Sequence, residues 1–189
     1  MASTQFNVSG FTSTIKTLGL ASPNKFKVDI AFPSKLDGGQ HPLKQDVATL
    51  RNLSLMCETI SFQGRGVQTI LDLQYGLRRE IAYNAPVYQP ITISFLCSRE
   101  LKEKQLLDKW NNYIVPNKDG KGFDVAYYKD YVGKLTVTLL DSDGKTPRYT
   151  QEYIDAYPKT VNAIELNHST QNSVARITAD FQYAYWNPK

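Results

Sequence analysis

The chain has 189 residues, of which 41% are hydrophobic and 21% are charged. This composition is typical of a soluble globular domain, and at roughly 150 residues per domain we expect one domain spanning residues 1–189. The net charge of +4 permits contact with a polyanion but does not by itself indicate one. The first residues do not have the pattern of a signal peptide, and no apolar run reaches the roughly 20 residues of a membrane helix, so we expect no stable membrane association.

Two cysteines, Cys57 and Cys97, each lie inside an apolar, strand-like run. So low a cysteine content is typical of a protein that folds in a reducing compartment. We therefore interpret both residues as buried free thiols rather than as redox or metal-binding groups.

The first elements have clear periodicity. Phe11, Ile15 and Leu18 recur at helical spacing and predict a short amphipathic helix, Gly10–Leu18, which should end at Gly19. Residues 25–32 alternate between apolar and polar side chains and predict a half-buried strand. The polar stretch 33–52 is interpreted as a long loop that contains at most one helical turn, and residues 53–62 as the next strand.

A β-hairpin is predicted next, with arms Val67–Tyr75 and Leu77–Tyr83 on either side of Gly76. Three charged residues stand together just after the turn: Arg78, Arg79 and Glu80. A hairpin with so many charges cannot bury both of its faces in its own core, so it should project from the body or line an opening.

The second half of the chain predicts further strands and one long helix. Strand patterns cover residues 91–95, 135–139, 149–157, 161–166 and 177–185. The helix has one apolar stripe formed by Leu106, Leu107, Trp110, Tyr113 and Ile114, with Lys102, Glu103, Asp108 and Lys109 expected to face away. We predict a mainly β (α+β) protein: an antiparallel β-sandwich or barrel with one flanking α-helix and a long projecting hairpin.

Few residues suggest chemistry. His41 and His168 lie far apart in turn-like contexts, and neither glycine-rich turn has the spacing of a phosphate loop. Residues 141–144 resemble the start of a calcium loop, but a tight Asp-Gly turn fits better. The aromatic and basic stretch Tyr127–Tyr131 suits either a platform for single-stranded nucleic acid or a simple amphipathic strand. We therefore expect no enzyme activity, no cofactor and no metal site.

Five segments in order resemble the tail tube protein family of T4-like contractile-tailed bacteriophages. Each is weakly specific alone, but their order and spacing are informative. They are the first strand around Pro23-Asn24-Lys25-Phe26, the strand Leu55–Ile60 with the hairpin after it, the strand and helix Phe95–Ile114, the segment Ile154–Ile164 with Tyr157-Pro158, and the terminal Phe181–Trp186.

This resemblance implies a structural subunit of the inner tail tube, located in the virion tail and, before assembly, in the host cytoplasm. Six copies would form a ring around one continuous β-barrel, and rings would stack into a hollow tube that conducts DNA without sequence recognition. Implied partners are the tail sheath protein, a tape measure protein in the lumen, and the baseplate hub and tail terminator proteins.

On this basis the hairpin is the candidate assembly interface. The residues assigned to it are Arg65, Gln74, Tyr75, Leu77, Arg78, Arg79 and Glu80. The arginines would form ion pairs within or between rings; the alternative is ordinary solvated surface charge. Three other functions stay open: a baseplate tube protein of the same fold that initiates the tube, a secreted tube of a type VI system or tailocin, and a monomeric nucleic-acid-binding β-barrel.

Overall fold

The computed structural model describes residues 7–32, 47–72, 76–116, 124–167, 169 and 174–189. The helices are α1 (Val8–Leu18), α2 (Val47–Leu55), α3 (Lys102–Ile114) and the single turn α4 (Tyr128–Tyr131). The strands are β1 (Phe26–Ala31), β2 (Cys57–Ile60), β3 (Gly66–Asp72), β4 (Arg79–Val87), β5 (Ile91–Leu96), β6 (Gly133–Leu140), β7 (Pro147–Val161), β8 (Arg176–Gln182) and β9 (Tyr185–Pro188).

Strand β7 joins two halves of one large antiparallel sheet, in which the strand order is β1-β6-β7-β8-β5-β2. Its first ten residues pair with β6, and four of these, at positions 151–154, pair on the other side with β9, whereas its last residues pair with β8. The partner changes next to Asp155, whose φ of 56° is in the left-handed region. Because side chains from both halves share one core cluster, the strand turns the sheet into the sandwich that the sequence predicted.

The core consists of the apolar positions that alternate along the strands. One half contributes Val28, Ile30, Leu135, Val137 and Tyr153, and the other Ile91, Ile93, Phe95, Ile177, Ala179 and Phe181. All of these side chains are at most 6% exposed, so the predicted strand faces are confirmed. At about 1.5–3 kcal/mol for each large apolar side chain removed from water, this burial is the main stabilising contribution.

Helix α3 closes the core through Leu106, Leu107 and Trp110, as its apolar stripe predicted. The Trp110 indole also donates a hydrogen bond to the carbonyl of Tyr131, at 2.9 Å. The prediction that Glu103 faces solvent was wrong, since it is buried. Its carboxylate accepts from the backbone N–H and the hydroxyl of Ser98, at 2.9 and 2.8 Å, and so compensates the lost hydration.

Helix α2 corrects the prediction for residues 33–62. The end of the expected loop and the start of the expected strand are both helical, and the strand is only β2; residues 33–46 lie outside the described part. Leu53 anchors the helix in the core, and the Ser54 hydroxyl accepts from the Ile30 N–H at 3.3 Å. The helix thus covers part of the sheet edge at β1, which would otherwise be open to pairing.

Two predicted strand boundaries were also wrong. β7 continues through Pro158, although proline has no backbone N–H to donate. The strand tolerates it because β6 no longer pairs there and because the pairing with β8 shifts register just after Pro158. The terminal strand divides into β8 and β9 at Tyr183 and Ala184, and β9 pairs with β7. Alternation continues across this break, so the sequence pattern did not reveal it.

Two shorter segments also differ in detail from the predicted elements. Helix α1 is present but starts at Val8, where the Asn7 side chain caps it by accepting from the Ser9 N–H at 2.8 Å. Gly19 ends it with a φ of 72°, and none of its residues is buried. The stretch around Tyr128–Tyr131 forms the turn α4 and not a strand.

Gly133 provides a test of packing at the junction of β6 and α3. A Cβ there would overlap the carbonyl oxygen of Ala31 and lie 3.3 Å from the Trp110 ring. We expect Gly133→Ala to lower the free energy of unfolding by about 1–3 kcal/mol, measured by urea denaturation. Gly64→Ala is the control, since nothing lies near its Cβ; an unchanged Gly133→Ala would contradict this packing.

Candidate assembly interface

The β3–β4 hairpin is separate from the main sheet and forms a two-stranded sheet of its own. Every described residue of its strands is exposed except Asp72, which is half-buried. This agrees with the predicted projecting hairpin, although β4 extends to Val87, four residues beyond the predicted arm. An isolated two-stranded hairpin is marginally stable in water, so this one is suited to being covered by another surface.

Its two faces differ in chemistry. On one face Ile70 and Ile81 are directly opposite each other and 49% and 42% exposed, and beside them Arg79 pairs with Asp72 at 3.2 Å. The other face mixes polar and apolar groups: the Thr69 hydroxyl donates to Glu80 at 3.2 Å, and Leu71, opposite Glu80, is 46% exposed. Exposed branched apolar residues at paired positions are typical of surfaces that associate.

The structure describes five of the seven predicted interface residues, and four of these five lie at or near the tip of the hairpin. Leu77, 93% exposed, and Arg78 lie at the tip, and Arg79 and Glu80 begin the returning strand. Gln74 and Tyr75 lie outside the described residues. The tip therefore presents both a large apolar side chain and positive charge.

Arg65 lies instead at the base of the hairpin, against its own chain. Its guanidinium carbon is 5.2 Å from the centre of the Trp186 ring and 5.9 Å from that of Tyr88. It also donates to the carbonyl of Trp186 at 3.4 Å. A guanidinium over aromatic faces is a favourable contact, so this residue links the hairpin to the C-terminal strand.

Sequence reasoning did not assign Ile70, Ile81, Tyr88 or Trp186 to this region. Ile70 and Ile81 show a weak signal, because both are apolar residues in a hairpin that the sequence predicts to project from the body. Tyr88 directly follows β4 but no pattern marks it, and Trp186 is remote in sequence, so that only the pairing of β9 with β7 brings it to the hairpin base.

The strand that carries Trp186 is held by an electrostatic cluster across three strands. Glu152 of β7 accepts from Lys134 of β6 and from Lys189 after β9, each at 2.9 Å. The two lysines hold the pKa of Glu152 below its ordinary value of 4.5. This carboxylate therefore stabilises the position of β9 while it is ionised.

Groups with chemical potential are few. Both cysteines are free and half-buried, and burial raises the pKa of the Cys57 thiol to about 12, so it is protonated at neutral pH. Asp143 closes the Asp-Gly turn by accepting from the N–H groups of Lys145 and Thr146 at 2.8 and 2.9 Å, which confirms the turn. Within the described ranges, no group of three His, Cys, Asp or Glu is placed to hold a metal ion.

None of the described helices has the length and apolar character needed to cross a membrane.

Fold and site together define a class of protein: a β-sandwich subunit with a projecting, partly apolar hairpin, suited to association with other chains. The family model described as "Phage tail tube protein" matches residues 21–189. The chain therefore belongs to the phage tail tube protein family, a family of structural proteins, and the resemblance found in the sequence is confirmed.

Solved structures of contractile injection systems have a similar fold. A chain of the sheath–tube complex of an extracellular contractile injection system (PVC) in the extended state has a TM-score of 0.60 and 16% identity, over 94% of this chain and 97% of that one. A chain of the anti-feeding prophage baseplate has 0.60 and 11%, over 90% and 95%, and one of the anti-feeding prophage tube-terminating cap 0.57 and 15%, over 100% and 99%. No curated protein sequence matches the chain.

The Glu152 cluster predicts a pH dependence. Because the folded-state pKa is depressed, the stabilisation is present above about pH 4.5 and is lost as the pH falls through the lower folded-state pKa. We expect Glu152→Gln to be less stable than the wild-type protein in urea at pH 7, with a difference that narrows towards pH 3. Glu165→Gln, at an exposed carboxylate outside the strands, is the control; a difference that is constant with pH would contradict this role of Glu152.

Proposed function

We propose that this chain is the structural subunit of the inner tube of a contractile tail. Six copies form a ring, and rings stack into a hollow tube whose lumen conducts DNA. The whole chain, residues 1–189, acts as one tube-forming unit. It works by association and not by catalysis, with the virion tail as its location and the host cytoplasm as its place before assembly.

The observation that carries this proposal is the β3–β4 hairpin of a chain that belongs to the tail tube family. The hairpin is a two-stranded sheet with apolar side chains exposed on it, and the described residues of its own chain do not cover them. A sheet shared between copies would cover these residues and pair strand edges that otherwise favour aggregation. Head-to-tail stacking of identical rings is an open-ended contact, which produces a filament.

The proposed roles of the hairpin residues follow from their positions. Leu77 and Arg78 at the tip, together with Gln74 and Tyr75 from the end of the predicted first arm, contact a neighbouring copy. Arg79 and Glu80 remain close to Asp72 and Thr69 of the same hairpin, and set the charge pattern of the face that the neighbour meets. Ion pairs of this exposed kind contribute about 0–1 kcal/mol each, so apolar contact supplies most of the affinity.

The partners proposed for the tube are those of a contractile tail. The outer surface meets the tail sheath protein, and the ends meet the baseplate hub and tail terminator proteins. A tape measure protein occupies the lumen before DNA. Support comes from similarly folded chains found in a sheath–tube complex, a baseplate and a tube-terminating cap.

Negative-stain electron microscopy of the purified protein over a concentration series tests the proposal. We expect hollow filaments of stacked rings above a threshold concentration, because the stacking contact is open-ended. Isolated rings that grow only on an added template would favour a baseplate tube protein that initiates the tube. Monomers that do not assemble even on preformed tubes would contradict the proposal.

A double substitution of the paired isoleucines Ile70 and Ile81 tests the interface itself. We expect Ile70→Thr/Ile81→Thr to raise the threshold for filament formation roughly tenfold or more, since each isoleucine contributes about 1 kcal/mol of apolar burial between copies. Light scattering gives the threshold, and thermal unfolding of the monomer should be nearly unchanged. The matched control is Val125→Thr/Leu166→Thr, at exposed apolar residues outside the hairpin; equal effects of both pairs would contradict a specific role of the hairpin.

A further inference from the structure

The hairpin is attached to the body at its base, where its incoming end contacts the C-terminal strand and its outgoing end contacts Arg65 and Tyr183. The incoming segment, Phe62–Arg65, precedes β3, and the outgoing residue Tyr88 follows β4. Between these ends, β3 and β4 pair with each other and not with the main sheet. The direction in which the hairpin leaves the body is therefore decided by contacts at the base.

Trp186 is at the centre of these contacts. Its indole N–H donates to the carbonyl of Gly64 at 3.5 Å, its ring lies under the Arg65 guanidinium, and its own carbonyl accepts from Arg65. The same guanidinium lies over Tyr88. One side chain of β9 thus contacts the incoming segment directly and reaches the outgoing residue through Arg65.

A buried polar network supports the base from below. The Tyr153 hydroxyl accepts from the Gln63 N–H at 3.1 Å and donates to the Gln151 side chain at 2.5 Å. The Gln151 amide in turn donates to the Gln63 carbonyl at 3.5 Å. Burial raises the pKa of Tyr153 to about 12, so its hydroxyl keeps its proton and this donor role over the whole physiological pH range.

Aromatic packing continues the support to the outgoing end. The rings of Tyr88 and Tyr183 meet edge to face with centres 5.8 Å apart, and those of Tyr183 and Tyr153 at 4.9 Å. Contacts of this geometry contribute beyond the area that they bury. Both ends of the hairpin therefore rest on the cluster of Tyr153 and Tyr183, and Trp186 of β9 is linked to its outgoing end through Arg65.

We propose that Trp186 and Arg65 are positioning residues. Through them the C-terminal strand fixes the angle at which the hairpin leaves the body, and this angle allows six copies to close into a ring. This inference rests on the proposed function. It assigns Arg65 to a contact within the subunit, where the sequence suggested an ion pair between subunits.

The length of the hairpin makes this angle important. Seven residues in β3, at about 3.3 Å each, extend roughly 23 Å, so a tilt of about 10° at the base moves the tip roughly 4 Å. This approaches the spacing of about 4.8 Å between paired strands. A small loss of order at the base would therefore put the tip out of register with a neighbouring copy.

The substitution Trp186→Leu tests this proposal because it keeps an apolar side chain but removes the aromatic face and the indole N–H. We expect the threshold for filament formation to rise roughly 2- to 30-fold, the range that corresponds to the loss of one cation–π contact. In the monomer we expect faster hydrogen exchange in peptides covering residues 61–66 and 88–90. Trp186→Phe should recover most of the assembly, since the ring face that Arg65 contacts is retained.

Tyr185→Leu is the matched control, because it changes an aromatic residue of the same strand on the other face of β9. It should leave both the threshold and the exchange at the hairpin base near wild-type values. The double variant Arg65→Gln/Trp186→Leu should cost less than the sum of the two single substitutions, since both remove the Arg65–Trp186 contact.

Three results would overturn the inference: wild-type assembly by Trp186→Leu, unchanged exchange at the hairpin base, or an equal effect of Tyr185→Leu. Failure of the wild-type protein to assemble would overturn the proposed function instead. The exchange measurement is made on the monomer, so it decides in either case whether Trp186 holds the hairpin base.

Discussion

The structure depends on the pairing of one long strand, β7, with three others. Its first part lies between β6 and β9, and its last part pairs with β8. Because one continuous backbone belongs to both halves of the sheet, the halves cannot separate without breaking hydrogen bonds along it. The turn at Asp155 brings their apolar faces together, and the burial of those faces stabilises the fold.

The same arrangement explains why the hairpin projects. The core is closed by the two sheet halves, by α3 and by Leu53 of α2, so β3 and β4 have no interior position to occupy. They pair with each other and keep their isoleucines in solvent. In the phage tail tube family, to which the chain belongs, such a surface suits contact between copies. The proposed assembly into a tube is based on the position of these exposed apolar side chains on the hairpin.

The electrostatics of the molecule fit a structural role. Some of its ion pairs link strands of the sheet: Glu152 links β6, β7 and β9, and Arg176 of β8 reaches across β5 to Glu58 of β2 at 2.6 Å. Burial raises the pKa values of the Cys57 thiol and of the buried tyrosines Tyr153 and Tyr183 to about 12. These groups therefore remain neutral at physiological pH.

The sequence by itself determined which residues face the core, since alternation along β1, β5, β6 and β8 and helical spacing along α3 follow from the geometry of each element. It also determined the family, through five short segments in order, and the exposure of the hairpin, through its charges. It did not determine that Glu103 is buried or that Pro158 lies inside a strand, because both depend on partners distant in the chain. The tertiary structure alone decided that the terminal strand breaks between β8 and β9 and that β9 pairs with an earlier part of β7. This pairing brings Trp186 under Arg65. The physical reason is that local periodicity specifies the face a side chain takes, whereas the choice of strand partner depends on how the whole sheet closes.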